Sequence, residues 1–321
     1  MTAVRVMLAG ADRVDRQAWL DARRTGLGGS DAATLLDLNP YSSRWALWLD
    51  KTGRTPHSDG IGPKGDWGHR LESVVRAAFT EQTGIPTRRH GMVRSVEHEW
   101  MLYSPDAVTG DGGIYEGKTS HWRMRHQWDD DAVPDLAYCQ VQWGMAVTGR
   151  PHAWLVGLID GYDLRIRRVT QDPDLIGMLV REGENFWGLV QTDTPPAITG
   201  GDLDAIQGFH RRVTDESPAV SGDVGDLVGD YQRRTADAKD ALEKVDAAKA
   251  RLVDAIGGHD RIVDLTGAEW ATRREQTSRG IDVRRLRADH PDLAAEYEKT
   301  TLTRVLRVHR TPKPRQEAVS A

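Results

Sequence analysis

The sequence contains a single cysteine, Cys139, among its 321 residues. One cysteine excludes an internal disulfide, and it excludes a zinc or iron–sulfur site built from four cysteines of one chain. No apolar run reaches the roughly 18 residues that a membrane-spanning helix requires, and the short apolar run near the N-terminus has no signal-cleavage site after it. We therefore expect a cytoplasmic protein without a membrane partner.

The chain also lacks an excess of positive charge. It has 43 Lys and Arg against 48 Asp and Glu, a net charge of −5. This balance argues against a protein coated with positive charge for nucleic acid, but it allows a local basic groove. Hydrophobic residues make up 39% of the chain, with eleven Trp against only three Phe. The composition and length fit one large globular domain, or one domain with an appended piece.

The order of patterns along the chain predicts an α/β domain. Residues 16–84 have helical spacing interrupted by Gly-rich and Pro-rich turns, with Ser42 or Ser43 able to cap one helix, and residues 92–118 predict short strands joined by tight turns. A buried helix, two further strands and a last helix follow, up to Gln191. This order predicts a central mixed sheet with helices on both faces.

We expect three parts: a domain at residues 1–200, a linker or edge loop at 201–225, and a C-terminal extension at 226–321. The extension begins with a helix of about seven turns. Its apolar stripe follows alternating spacings of four and three and comprises Tyr231, Thr235, Ala238, Leu242, Val245, Lys249, Leu252 and Ile256. The stripe fits an ordinary amphipathic helix as well as it fits a coiled coil. A hairpin about Gly267, two short helices and a basic strand through Val308 should complete a small α+β piece of unknown role.

Two carboxylates and a lysine surround a turn-rich stretch. If Asp106 ends one strand and Glu116 lies in its hairpin partner, both carboxylates can converge, and Lys118 then shares a strand face with Glu116. Two such oxygen ligands and a backbone carbonyl, here that of Gly117, can hold Mg²⁺ or Mn²⁺, and the lysine can orient and help deprotonate an attacking water. This geometry suits phosphodiester hydrolysis. Taken alone, the stretch is explained more simply as a surface hairpin.

The surrounding sequence adds a family resemblance. Pro105-Asp106, followed by Glu116-Gly117-Lys118, matches the signature of the PD-(D/E)xK nucleases at every named position. Three further blocks accompany it in a definite order: WLDARRTGLGGSDAATLLDLNPY, GHRLE and YCQVQWGMAVTG. The four blocks together resemble the YqaJ-type viral recombinase (phage lambda exonuclease) family over residues 16–169. The resemblance implies a PD-(D/E)xK nuclease core.

The resemblance also implies a role for each matching residue. Asp106, Glu116 and the Gly117 carbonyl would be metal ligands, and Lys118 would be the catalytic lysine. Glu72 matches the family's additional acidic residue, which completes a two-metal site. The middle residue of Glu-x-Lys is usually apolar in the family, whereas this chain has glycine. That difference removes no functional side chain, because the middle residue acts through its backbone.

Two further pairs of residues match the family pattern. Gln140 matches a glutamine that lies close to the lysine and the water, whereas Gln142 is expected to be structural, since positions i and i+2 point in different directions on a helix. Arg23 and Ser30 match the residues that bind a 5′-terminal phosphate, and an Arg fork beside a Gly-rich helix N-terminus is a strong anion site. Two alternatives remain open: Ser30 only caps its helix, or the neighbouring Arg24 is the phosphate ligand.

The resemblance implies a Mg²⁺- or Mn²⁺-dependent deoxyribonuclease with two metal ions and no iron–sulfur cluster. It would digest linear double-stranded DNA from 5′ to 3′ and leave 3′ single-stranded tails for homologous recombination by strand annealing. A single-strand annealing protein would be its partner, and the chain would form a homo-trimer or another homo-oligomer. If a phage encodes the chain, the location would be the cytoplasm of the bacterial host cell.

Three other functions stay open from the sequence. The chain could be a catalytically silent DNA-end-binding or regulatory protein on a nuclease scaffold, although keeping the buried charges of such a site is costly. It could be a sequence-specific restriction enzyme, which would not need a terminal-phosphate pocket. The basic C-terminal extension could also carry the main role, as an adaptor for DNA or for a partner.

Overall fold

In a computed structural model, the chain is described at residues 4–8, 16–55, 63–210, 222–273 and 275–299. It divides into two compact units, residues 1–213 and residues 214–321. Within the described part of the chain, none of the helices combines the length and the apolar character that crossing a membrane would require.

The described residues of the first unit include eight strands, which form two sheets. In chain order they are β1 (Val4–Leu8), β2 (Thr87–Arg88), β3 (Met92–Ser95), β4 (Leu102–Tyr103), β5 (Ala107–Thr109), β6 (Ile114–Ser120), β7 (His152–Ile159) and β8 (Asp163–Thr170). The larger sheet has the order β2-β5-β6-β7-β8, and the smaller has the order β1-β3-β4. The β6–β7 pair is parallel and the other pairs are antiparallel, so the larger sheet is mixed.

Across the same described ranges the unit also has seven α-helices. They are α1 (Arg16–Arg24), α2 (Ala32–Leu35), α3 (Arg44–Lys51), α4 (Pro63–Thr83), α5 (Asp135–Thr148), α6 (Pro173–Gln191) and α7 (Leu203–Phe209). The parallel β6–β7 pair requires a crossover connection, which contains α5. Ser43 caps α3 by accepting a hydrogen bond from the Ala46 amide, and Gly149 ends α5 in the left-handed region, with a φ of 66°.

The two faces of the larger sheet pack on different helices. Ile114 and Leu155 belong to the main core, which includes Trp143 of α5. Their neighbours along the strands, Tyr115 and Val156, pack on the opposite face in a second cluster that includes Val75 and Phe79 of α4. This alternation follows from the two-residue period of a strand. The predicted central mixed sheet flanked by helices is confirmed.

Residues 200–210 differ from the predicted linker. They form a 3₁₀ helix at Gly200–Asp202 followed by α7. Asp202 is buried and accepts hydrogen bonds from the Thr199 amide and hydroxyl, and the ring of Phe209 lies 5.8 Å from that of Trp45. Thr199 and Asp202 therefore cap a short helical segment that packs on α3. The separate roles predicted for the three parts of the chain stay a prediction.

The second unit contains α8 (Gly222–Ile256), β9 (Arg261–Val263), β10 (Glu269–Thr272), α9 (Val283–Asp289) and α10 (Pro291–Glu296). β9 and β10 pair antiparallel, and Gly267 in their connection has a φ of 86°. Asp282 caps α9 by accepting from the Arg285 amide. The predicted long helix with a small α+β piece is confirmed, while the strand expected through Val308 lies outside the described residues.

One hydrogen-bonded cluster ties the β5–β6 hairpin to β7. The carboxylate of Asp111, in the turn, accepts from the Thr109 hydroxyl and the Trp154 indole N–H, and it lies 3.0 Å from His152 Nε2. A side chain at Gly113 would place its Cβ only 2.5 Å from that His152 nitrogen, so the turn needs glycine there. The cluster therefore fixes the conformation of the turn that joins β5 to β6, the two strands of the predicted acidic site.

We predict that Asp111→Asn destabilises the protein in a pH-dependent way. Burial raises the pKa of Asp111, but hydrogen bonds from Thr109, Trp154 and His152 have the larger, opposite effect. The pKa is therefore lowered to about 2. Because this lies below the unfolded-state pKa of about 3.9, the stabilisation is complete above that pH and is lost as the pH falls toward 2. The loss in unfolding free energy at neutral pH should be about 1 kcal/mol, since the carboxylate is partly exposed.

Urea unfolding at a series of pH values measures this difference. Asp131→Asn, at another exposed position of the same unit, serves as the control and should leave the unfolding free energy unchanged. A difference between Asp111→Asn and the unmodified protein that persists at pH values below the folded-state pKa would contradict the prediction.

Candidate active site

A cavity of about 570 Å³ opens beside the acidic hairpin. Its walls come from α1, the 3₁₀ helix at Gly29–Asp31, α4, the β4–β5 connection and α5. Six of its lining residues carry the chemistry discussed below: Arg23, Ser30, Glu72, Tyr103, Asp106 and Gln140. Residues far apart in the sequence therefore face one space.

Asp106 and Glu116 come together because β5 and β6 are hairpin partners, with Ala107 opposite Tyr115. Asp106 accepts a hydrogen bond of 2.9 Å from the amide of Gly117. Glu116 is only 2% exposed. The predicted convergence of the two carboxylates is thus what the hairpin register produces.

Lys118 and Gln140 hold one oxygen of the buried Glu116 carboxylate. Lys118 Nζ lies 2.8 Å from Glu116 Oε1, and the Gln140 side-chain amide donates to the same oxygen. Lys118 Nζ also donates to Gln140 Oε1, at 2.8 Å. The structure therefore joins the lysine, the glutamate and the glutamine in one hydrogen-bonded triangle.

Tyr103 holds the other oxygen of Glu116, and sequence patterns did not indicate it. Its hydroxyl donates to Glu116 Oε2 over 3.0 Å, with the tyrosine itself 1% exposed. Its ring fills the space beside Gly29 and Gly144, where an added Cβ would approach ring atoms to 2.8 Å and 2.4 Å. Burial, together with the charges of Glu116 and Asp106, raises the pKa of Tyr103 well above its usual value, so the hydroxyl remains a donor.

The site has an excess of negative charge. Burial and the neighbouring Glu116 raise the pKa of Asp106 well above its usual value; Glu72 raises it too, and Lys118 opposes this effect. Burial lowers the pKa of Lys118, but Glu116 and Asp106 raise it more, above its ordinary value. One ammonium group thus faces three carboxylates, and a divalent cation would relieve their repulsion.

The donor set fits a hard divalent ion, although it is not a ready-made cage. Among the described residues, no three His, Cys, Asp or Glu side chains converge into a metal site by themselves. Asp106 and Glu116 lie together, whereas Glu72 lines the same cavity from α4, with Oε2 4.0 Å from His69 Nδ1. Further oxygen ligands would come from a backbone carbonyl, water or phosphate, which is the usual situation for Mg²⁺.

Tyr115 explains why glycine occupies the middle of the Glu-x-Lys motif. The Tyr115 hydroxyl is buried and has no hydrogen-bond partner among the described residues. A Cβ at Gly117 would lie 3.1 Å from that hydroxyl, closer than side chains ordinarily allow. The tyrosine therefore fills the space of the apolar side chain that the family pattern has at position 117.

Arg23 and Ser30 meet in the same cavity. The Arg23 Nη2 group donates to Ser30 Oγ over 2.7 Å and lies 3.4 Å from Asp31 Oδ1. The guanidinium carbon lies 4.9 Å from the centre of the Trp19 ring, a cation–π distance. This places a positive group and a hydroxyl on the wall of the acidic site.

Arg24, the alternative phosphate ligand, is directed elsewhere. Its guanidinium lies 3.2 Å from Asp50 Oδ1 and donates to the Thr55 carbonyl over 2.6 Å. Arg24 does not line the cavity, whereas Arg23 does. The geometry therefore favours Arg23 for this role.

The structure contradicts the alternative that Ser30 only caps its helix. Ser30 is the middle residue of the Gly29–Asp31 3₁₀ helix, and the Gly28 amide donates instead to Asp31 Oδ2, at 2.8 Å. Because Asp31 satisfies this amide, the Ser30 hydroxyl is available to Arg23 and the cavity.

Lys51 is a second residue that sequence reasoning missed. Its side chain is fully buried, with Nζ 2.8 Å from Asp31 Oδ2 and 3.0 Å from the Arg23 carbonyl oxygen. Burial raises the pKa of Asp31, but Lys51 and Arg23 lower it more, below its usual value. The buried pair joins α3 to the end of α1 and so positions Arg23. The sequence feature that could have indicated this role is a lysine in a helix that otherwise carries mainly apolar and aromatic residues.

The other residues singled out from the sequence are structural. Gln142 donates to the Thr170 carbonyl and accepts from the Asp172 amide, and it thereby joins α5 to the start of α6. Cys139 is buried in α5, where burial raises the pKa of its thiol to about 11. Neither residue lines the cavity.

Comparison with known proteins finds relatives of this part of the chain. Residues 18–151 match the YqaJ-like viral recombinase domain. The uncharacterized protein YqaJ of Bacillus subtilis (strain 168) is 32% identical over 213 residues, which cover 65% of this chain and 65% of that protein. The matched region is thus slightly less than two thirds of that relative's length. The family resemblance inferred from the sequence is confirmed.

Solved structures with similar folds include two described as exonucleases. The alkaline exonuclease LHK-Exo from Laribacter hongkongensis is 19% identical with a TM-score of 0.48, covering 61% of this chain and 100% of that one. A phage-related exonuclease from Haemophilus somnus 129PT is 12% identical with a TM-score of 0.36, covering 55% and 100%. Likenesses this distant leave the activity of this chain to be argued from its own site.

We predict that Lys51→Met destabilises the protein by about 3 kcal/mol, because it leaves Asp31 buried with only Arg23 as a charge partner. The double variant Asp31→Asn/Lys51→Met should recover part of this loss, since it removes the unpaired charge. Urea unfolding of the two variants and the unmodified protein measures the difference. If Lys51→Met were as stable as the unmodified protein, the Asp31–Lys51 pair would not stabilise this wall of the cavity.

Proposed function

We propose that this chain, which carries a YqaJ-like viral recombinase domain at residues 18–151, is a metal-dependent DNA exonuclease acting on linear double-stranded DNA. One observation carries the proposal: Asp106, which lies beside the buried Glu116, lines the same cavity as the Arg23–Ser30 pair. A group that can cut a phosphodiester thus lies beside a group that can bind a terminal phosphate.

The metal ligands would be Asp106, Glu116 and the carbonyl of Gly117, with Glu72 completing a site for a second ion. The ions would be Mg²⁺ or Mn²⁺, since all these donors are oxygens. When bound, such ions lower the pKa of a water nucleophile and stabilise the attacking and leaving oxygens. The excess negative charge around Asp106 supports this assignment.

Lys118 would orient the attacking water. In the arrangement described, the carboxylates keep its ammonium group protonated, so it acts as a hydrogen-bond donor and not as a base. Gln140 holds both Lys118 and Glu116, and it therefore restrains the lysine on the side of the acidic cluster. Neutralisation of the carboxylates by cations would lower the lysine pKa and allow it to take a proton.

Arg23 and Ser30 would bind the 5′-terminal phosphate, with the Trp19 ring beside the guanidinium. Binding of the end next to the acidic cluster places the first phosphodiester at the site of cleavage, which gives 5′-to-3′ digestion. The remaining 3′ single-stranded tail would be the substrate of a single-strand annealing partner in phage-type recombination. A homo-trimer or another homo-oligomer around the duplex would keep the enzyme on DNA despite its negative net charge.

The direct test is digestion of a linear duplex labelled at either strand end, with either a 5′ phosphate or a 5′ hydroxyl. We expect Mg²⁺-dependent loss of nucleotides from the phosphorylated 5′ end, slowed at least about 100-fold by Lys118→Ala. Arg23→Gln should reduce the preference for the 5′ phosphate by about tenfold or more, because a charge-assisted hydrogen bond is lost. Arg24→Gln, which changes the neighbouring arginine outside the cavity, should keep the preference.

The outcomes separate the candidate functions. A closed circular duplex should resist the enzyme, and its cleavage would point to an endonuclease. DNA-end binding without cleavage under Mg²⁺ or Mn²⁺ would identify a catalytically silent end-binding protein. Digestion that ignores the 5′ phosphate, with Arg23→Gln unchanged, would contradict the phosphate assignment while keeping the nuclease.

We also predict that Tyr103→Phe lowers the nuclease rate about tenfold and raises the Mg²⁺ concentration needed for half-maximal rate. The variant removes only the hydroxyl that holds Glu116 Oε2, and a lost hydrogen bond to a charged group costs about 1.5–3 kcal/mol. Digestion rates over a Mg²⁺ titration measure both effects. The ring still fills the space beside Gly29 and Gly144, so the fold should be retained, although loss of a donor to the buried Glu116 should lower the melting temperature by several degrees.

Tyr138→Phe is a matched control, since its hydroxyl lies 3.4 Å from Asp172 and Tyr138 does not line the cavity. It should keep the rate and the Mg²⁺ dependence of the unmodified protein. An unchanged Mg²⁺ dependence in Tyr103→Phe would show that the hydroxyl does not position the metal ligand.

A further inference from the structure

The long helix α8 carries an exposed apolar stripe. Val245 and Leu242 are 60% and 64% exposed, and Tyr231 and Leu252 are about half exposed. The helix has 35 residues, a length of about 52 Å. Helices draw most of their stability from packing of an apolar face, so a face this open calls for a covering surface.

The spacing of the stripe assigns each residue to a heptad position. Thr235, Leu242 and Lys249 occupy the a positions, each followed three residues later by a d position. The d positions are Tyr231, Ala238, Val245 and Leu252. Ile256, the next a position, is already buried. The open seam therefore runs from Thr235 to Leu252.

The charges on α8 oppose a parallel pair of identical helices. In a parallel dimer, Lys249 would face the second copy's Lys249 across the apolar seam. Arg234, at a g position, would face the second copy's Lys239 at an e position, another pair of like charges. Both contacts are repulsive.

An antiparallel pair removes both conflicts. Each a position then packs beside a d position of the second copy, and a single register satisfies the whole seam. In that register Leu242 packs on Val245, Thr235 on Leu252, and Lys249 on the small Ala238, with each contact made twice. Lys249 has room at Ala238 to extend its stem and reach water.

The residues beside the seam fit the same arrangement. In an antiparallel pair, e positions face e positions, which brings Lys239 of one helix to Asp246 of the other, twice by symmetry. The g positions next to the seam are Ala241, Ala248 and Ala255, which allow the two helices to approach closely. Charge and size therefore select a second copy of α8 in one orientation.

We propose that α8 pairs antiparallel with α8 of a second copy of this chain, through a seam from Thr235 to Leu252 centred between Leu242 and Val245. The contact is isologous, so it joins two copies and does not by itself close a three-membered ring. It is independent of the proposed nuclease activity. Its consequence would be two catalytic units linked through their C-terminal extensions.

Sedimentation equilibrium of the full chain over a range of concentrations tests the contact. We expect a reversible dimer, which the double variant Leu242→Asp/Val245→Asp should convert to a monomer. The variant should keep the DNA digestion rate of the unmodified protein, and the melting temperature of its first unit should not change. Lys239→Asp and Asp246→Lys should each weaken the dimer about threefold or more, because each places like charges together twice. The double variant Lys239→Asp/Asp246→Lys should restore the original affinity.

Cross-linking tests the orientation. Thr235→Cys chains mixed with Leu252→Cys chains should form a disulfide-linked pair under mild oxidation, whereas Thr235→Cys chains alone should not. The native Cys139 thiol is buried and its raised pKa of about 11 keeps it unreactive.

Three results would overturn the proposal. A monomer at every concentration would show that α8 does not pair with a second copy. An oligomer insensitive to the seam variants would place the contact elsewhere. Cross-linking of Thr235→Cys chains with each other would establish a parallel pair.

Discussion

The buried carboxylate of Glu116 is the constraint around which the site is arranged. It is almost inaccessible to water, and it is held by Tyr103, Lys118 and Gln140, which come from three different elements. A buried charge without such donors would be strongly destabilising. The strand ending at Tyr103, the strand carrying Glu116 and the helix carrying Gln140 must therefore keep a fixed relation to one another.

Close backbone approaches make that relation possible. Tyr103 reaches Glu116 because Gly29 and Gly144 leave space for its ring on either side. Gly117 plays a similar part on the other strand face, where Tyr115 occupies the space that a larger residue would need. The glycine in the Glu-x-Lys motif and the tyrosine two residues before it therefore compensate for each other in size, because the large side chain of Tyr115 fills the space that a side chain at position 117 would occupy.

The cavity wall that carries Arg23 and Ser30 depends on a second buried charge pair. Asp31 accepts from the Gly28 amide, pairs with Lys51 and lies near Arg23, so one carboxylate orients the turn, α3 and the arginine together. The pattern of Gly-rich turn, Ser and Asp indicated an anion site but assigned the capping role to the wrong side chain. Ser and Asp are equally good caps in sequence, and only their positions in the 3₁₀ helix distinguish them.

The sequence by itself indicated the family resemblance, the mixed sheet with helices on both faces, and the hairpin that brings Asp106 and Glu116 together, because strand period, hairpin register and motif spacing are local or short-range properties. It also identified the stripe on α8, which follows from spacing alone. The tertiary structure decided what depends on contacts between distant elements: the hold of Tyr103 on Glu116, the choice of Arg23 over Arg24, the pairing of Lys51 with Asp31, and the folding of residues 200–210 onto α3. A sequence pattern states which side chains a segment offers, whereas the close packing of the core decides which of them meet.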